Sequence, residues 1–320
     1  MTQSNDARRL YALGFCVFTV PAILLLPRLG WLWALIASTF TAVLLAVLIR
    51  LRRKNPLPLA ATAAKTTAGK ILLTAVVLWN LLQLGEVSRL LCIAYPTGDT
   101  MPLVGLLVLL LAAYAAQKGP KVLLRAAAIV FFFLIALYLL LLGFSLPTIQ
   151  TDWLRPVLQP QWALLPAALA PISVLYLCRG ETGKPTLWLA GGVLLAVLAA
   201  LMCAGSLSPQ VAEGEIFPFY TAAKSVTVLG AMERLEPLVS AALTAGAFCL
   251  LGLLCRVNTE IMSELLPKSE KLSALANIVL GGSGLWLTRL IPIWCMGLGT
   301  AIFWGLLPFL ALLLGATKKY

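Results

Sequence analysis

The chain has 320 residues, 61% of them hydrophobic and only 11% charged, with a formal net charge of +12. Soluble domains carry roughly 45–50% apolar and about 25% charged residues, so a soluble fold is excluded and an integral membrane protein is expected. There is no histidine, which removes imidazole metal ligation, histidine-based catalysis and the usual pH switch.

Charge and sulfur add little chemistry. The basic residues form no stripe with interleaved aromatics, so no nucleic-acid partner is expected; they gather instead in short loops, as the positive-inside rule requires. The seven cysteines (Cys16, Cys92, Cys178, Cys203, Cys249, Cys255 and Cys295) are scattered, mostly inside apolar runs, with no CxxC spacing. They read as small buried hydrophobes. No metal, no cofactor and no enzyme activity is expected.

Apolar runs broken by charge, Pro and Gly predict ten helices, over about 10–27, 30–50, 70–93, 102–117, 125–145, 163–178, 186–206, 231–255, 272–288 and 290–315. They make one transmembrane domain, 1–320. Helix is the element expected, because open sheet in lipid leaves backbone groups unpaired. The polar start MTQSNDARRL reads as the flank of a retained first span. With the N-terminus inside, loop Lys and Arg are biased roughly threefold toward the inside, which predicts an N-in, C-in protein.

In the first run, Pro21 sits mid-sequence in FTVPAILLLP and removes a backbone donor. In the third, WNLLQLGEVSRLL places Glu86 and Arg89 three residues apart on one helical face. Such a pair is either a local ion pair near the span end or part of a gate. Residues 146–162 are rich in Pro and Trp and read as an interfacial segment. The sixth run, LLPAALAPISVLYL, carries Pro166 and Pro171 with Ser173 nearby. GETGKPT at 180–186 has a misplaced first glycine for a phosphate loop, and reads as a turn. FPFYTAAKSVTVLGAMERLEP brings Glu233, Arg234 and Glu236 to the mouth of the eighth run, followed by Pro237. Residues 256–271 read as a short surface helix. GGSG at 281–284 suits close helix approach or a kink.

The first and sixth runs would open the two halves of a five-plus-five inverted repeat. Breaks at equivalent positions are where such folds hold ligands. The candidate ligand-binding residues are therefore Val20, Pro21, Ala22, Ala170, Pro171 and Ser173. An ordinary proline kink repaired by neighbouring helices is the alternative for each. Glu86, Arg89, Glu233, Arg234 and Glu236 are candidates for a gate or subunit contact. Glu233 and Glu236 also suit a helix start, where the dipole favours acids by roughly 0.3–1 kcal/mol each.

Three segments, in order, carry a resemblance. LLLPRLGWLWALIAS at 24–38 ends one run in Pro and opens the next around Trp. KGPKVLLRAAAIVFFFLIALYLLLL at 118–142 is followed by Leu154, Pro156 and Val157. Phe217-Pro218 leads through a helical stretch to Glu233-Arg234-Leu235-Glu236. Together they resemble the GerAB-like spore germination permeases, B subunits of spore germinant receptors in the amino acid–polyamine–organocation superfamily. The resemblance implies an all-α, LeuT-like membrane protein of the bacterial cell membrane or spore inner membrane. It implies a small germinant such as an amino acid, and A-type and C-type receptor subunits as partners. The chain departs from the family pattern at Thr19-Val20-Pro21 and at Val174, Leu175 and Tyr176. A secondary active amino acid transporter and a non-binding scaffold are the other readings.

Overall fold

A computed structural model describes residues 2–53, 59–64, 66–94, 101–156, 158, 161–177, 186–225, 236–266 and 270–310. Every regular element among them is helical. In chain order they include α1 (Thr2–Leu24), α2 (Trp31–Arg53), the short α3 (Leu59–Ala63), α4 (Thr67–Ala94), α5 (Met101–Gln117) and α6 (Pro120–Ser145). A 3-10 helix, Trp162–Leu177, follows, then α7 (Thr186–Leu207), the short α8 (Pro209–Gly214) and α9 (Pro218–Ser225), α10 (Glu236–Leu265), α11 (Glu270–Leu287) and α12 (Ile293–Thr300). After α12 the chain winds as a π-helical turn, Ala301–Leu306, and stays helical to residue 310.

Among the described residues six helices are long and apolar enough to cross a membrane: Trp31–Leu51, Thr67–Ala94, Pro120–Thr148, Ala190–Leu207, Pro237–Leu265 and Ile293–Leu310. The protein is integral to the membrane. The Trp162–Leu177 helix has 16 residues, too few to match a hydrocarbon core of ~30 Å as an α-helix, which would reach ~24 Å. Wound as 3-10 at ~2.0 Å per residue it reaches ~32 Å. Pro166 and Pro171 lie inside it, and each removes one backbone donor from its ladder.

At the centre stand α1, the Trp162–Leu177 helix and α10. Residues 10–13 and 15–24 are buried without interruption on every side of α1, against α6, α7, α10 and the 3-10 helix. Helix α1 does not break at Pro21. It continues to Leu24, and Leu25 donates to the Pro21 carbonyl at 3.0 Å. Proline there costs one ladder bond, and enclosure by neighbours holds the helix together. A 3-10 turn, Leu26–Leu29, then leads to α2.

Helix α10 also runs further than expected. Its charged residues around 256–260 belong to the helix, not to a separate surface element. Val257, Asn258 and Ile261 are buried, while Arg256 and Glu260 pair at 3.2 Å four residues apart. An apolar-run reading stops at the first charge, but packing carries the helix on to Leu265. Its described part begins at Glu236, with Pro237 in the first turn, where no intrahelical donor is lost.

Helix α4 packs on α5, α10 and α11. It crosses α11 at glycine against glycine. A Cβ on Gly85 would lie 2.4 Å from the Gly284 backbone, and one on Gly284 2.9 Å from the Gly85 Cα. Here the GGSG cluster serves close approach. Gly85→Leu should force the two helices apart and cost roughly 1–3 kcal/mol, as overpacking does. Unfolding of the detergent-purified variant measures this, and an unchanged midpoint would refute the backbone contact.

Candidate functional site

Two cavities open between these helices. The smaller, about 40 Å³, lies among α1, α2, α7 and the 3-10 helix, with Pro171, Ser38 and Thr41 in its wall. It has room for water and little more. The larger, about 190 Å³, lies between the ends of α1 and α4, the first half of the 3-10 helix, α12 and the middle of α10. A cavity of about 150 Å³ admits benzene, so the larger one takes a small organic molecule.

Each wall of the larger cavity follows from local structure. Val20, Pro21 and Leu25 come from the end of α1, and Arg28 from the 3-10 turn beyond it. One face of α4 contributes Gln83, Glu86, Arg89, Leu90 and Ile93 at helical spacing. The 3-10 helix supplies Ala163, Ala167 and Ala170, small residues that leave the volume open. Gly297 of α12 lets that helix close in: a Cβ there would meet the Ala163 carbonyl oxygen at 2.4 Å. Thr300 and Trp304 follow at and beyond the end of α12, Trp304 in the π-helical turn. Ile216 and Phe217, just before α9, complete the rim.

The expected ligand set divides. Val20, Pro21 and Ala170 line this cavity. Pro171 lines the smaller one. Ala22 is fully buried in packing, and Ser173 Oγ donates to the Ala170 carbonyl at 2.5 Å. Glu86 and Arg89, expected at a gate, lie in the same wall as Val20 and Pro21. Glu233 and Arg234 lie outside the described residues; Glu236 opens the described part of α10.

Glu86 and Arg89 form a two-pronged ion pair. Arg89 Nε donates to Glu86 Oε2 at 2.8 Å and Nη2 to Oε1 at 2.6 Å. The side chains are only 17% and 25% exposed, Glu86 and Arg89 respectively. Glu86→Gln strands a partly buried guanidinium and should lower stability by about 1–2 kcal/mol, below the 3–5 of a fully buried pair. Adding Arg89→Gln should restore most of that loss. A double-mutant cycle of unfolding free energies checks it, and a coupling under about 0.5 kcal/mol would mark the pair as merely solvated.

Arg28 has no such partner. Its Nε is sealed from solvent and makes no hydrogen bond, and among the described residues no carboxylate pairs with it. Burial lowers its pKa from the ordinary guanidinium range.

Behind the cavity runs a chain of buried amides. Trp304 Nε1 donates to Asn80 Oδ1 at 3.3 Å, and Asn80 Nδ2 to Asn258 Oδ1 at 3.0 Å. Asn258 Nδ2 donates to Asn277 Oδ1 at 2.9 Å, and Asn277 Nδ2 to the Cys255 carbonyl at 3.1 Å. The three asparagines are at most 1% exposed. They tie α4, α10 and α11 to the π turn that walls the cavity. Sequence reasoning passed over this chain and over Arg28, Gln83, Thr300 and Trp304. The available signal was polarity: a lone amide inside an apolar run is costly unless paired.

Comparison with known proteins adds to this geometry. A model of the family described as spore germination protein (Spore_permease) matches residues 9–178. Among solved structures, the fold is similar to Mhp1, a nucleobase-cation-symport-1 family transporter, in a closed conformation with bromovinylhydantoin bound. The TM-score is 0.67 at 11% identity, over 95% of this chain and 77% of that one. Among curated proteins no sequence match is found.

Proposed function

The chain belongs to the spore germination protein family, and from that premise we propose that it is a B-type subunit of a spore germinant receptor. It binds a small germinant, such as an amino acid, in the cavity of about 190 Å³ and passes occupancy to A-type and C-type subunits. That cavity is the observation that carries the reading. It gathers Val20, Pro21, Ala170, Glu86 and Arg89, residues from three separate helices, around one volume of ligand size. The ten apolar runs are then ten spans in a five-plus-five inverted repeat, N-in and C-in, a reading supported by the likeness to Mhp1 and by the bias of basic loops.

A permease reading stays beside it, because that likeness is to a transporter. Both predict binding; transport alone predicts accumulation. In proteoliposomes, ion-gradient-driven uptake of a solute that also stabilises the purified protein would favour the permease. Ligand-dependent stabilisation without uptake is the expected result. No stabilisation by amino acids, other small carboxylates, sugars or nucleosides would sink both.

A further inference from the structure

Among the described residues three ionised groups, Arg28, Glu86 and Arg89, line the larger cavity, and they do not cancel. Both oxygens of Glu86 are committed to Arg89. Arg28 is left over, its Nε buried and without a partner. The described wall therefore keeps one positive charge without a carboxylate partner. Much of the remaining surface is hydrocarbon from Leu25, Leu90, Ile93, Phe217 and Leu250. A half-buried guanidinium with no acceptor is an unfavourable arrangement, and the depressed Arg28 pKa registers the same desolvation.

We propose that this cavity takes a small organic carboxylate with a compact apolar body and a net charge of −1, its carboxylate seated on Arg28. The inference rests on the cavity being the ligand site. A guanidinium presents parallel N–H donors that match the two oxygens of a carboxylate. Binding supplies the missing acceptor and cancels the wall's surplus charge. A zwitterion brings an ammonium as well, and the acid in the described wall is already held by Arg89. An uncharged analogue leaves Arg28 as it was.

Three probes with one carbon skeleton separate these cases: isovalerate, its neutral amide isovaleramide, and the zwitterion valine. Each is titrated against the detergent-purified full chain, with the thermal midpoint as readout. Isovalerate should raise the midpoint, isovaleramide should leave it unchanged, and valine should act more weakly than isovalerate. Arg28→Gln should weaken isovalerate binding at least about tenfold, while its unliganded midpoint stays at or above that of the parent. Arg28→Lys should keep part of the response, since it retains charge but not the fork. Ala167→Phe, which fills the cavity, should remove the response.

Equal shifts by isovalerate and isovaleramide, or by valine and isovalerate, overturn the carboxylate assignment. So does an isovalerate response that survives Arg28→Gln but is lost in Ala167→Phe; the cavity then stands as the site. A response that survives both variants, or no response to any of the three probes, overturns the assignment and the cavity reading together.

Discussion

Replacing Asn258 with Leu lowers the unfolding free energy by about 2–3 kcal/mol. The residue is 0% exposed and serves both neighbours, accepting from Asn80 and donating to Asn277. Its removal leaves an Asn80 amide N–H and an Asn277 carbonyl oxygen buried without that partner. Two such orphans would cost about 2–6 kcal/mol by the penalty for unmade hydrogen bonds. Interhelical bonds in membranes average only ~0.6 kcal/mol, because helices unfolded within the bilayer also find partners. Leu recovers some packing as well, so the lower part of the range is expected. The combined Asn80→Leu, Asn258→Leu, Asn277→Leu variant should lose less than the single one, since no amide is left half-satisfied. Unfolding in mixed micelles measures both. A loss under about 0.5 kcal/mol in the single variant would show that the chain of amides does not hold α4, α10 and α11 together.

On the proposed reading of the larger cavity as the germinant site, Ala167→Phe should abolish the response to germinant while the protein still folds and inserts. Ala167 lies in the wall of the larger cavity, on the 3-10 helix, and is not among the fully buried residues. A phenyl ring there occupies volume that is open in the parent, so packing need not be rebuilt around it. The ring approaches the size of the benzene that about 150 Å³ accommodates, so most of the 190 Å³ is used. Affinity should fall by at least about 100-fold, a loss of about 2.7 kcal/mol. Germination of spores carrying the variant, with its membrane level checked by immunoblot, is the direct measurement. Normal germination at normal protein level would remove the cavity from consideration.

The fold was legible where hydropathy alone decides. Runs such as 70–93 and 186–206 became α4 and α7 with ends shifted by a few residues. Legibility failed where tertiary packing overrides composition. The charges Arg256 and Glu260 suggested a separate short surface helix, yet they sit within α10, whose other face is buried. Pro21 suggested a break, yet α1 passes through it because helices surround it. The lining of the larger cavity was legible in part. Proline and an intramembrane ion pair are visible in one dimension, so Pro21, Glu86 and Arg89 could be named. Arg28 could not, because its significance is the absence of a partner among the described residues, which only three dimensions reveal.

Composition thus determined the solvent and the element: too few charges for water, and helix as the element that lipid allows. It could not say which face of a helix points where. On α6, Phe132 is 71% exposed and Phe131 7%, although the two residues are identical. Lipid tails are as apolar as a packed interior, so the outward and inward faces of a membrane helix carry the same alphabet and leave no periodic signal. Which helices meet, where two glycines touch, and which polar groups share a cavity were decided by packing between segments far apart in the chain.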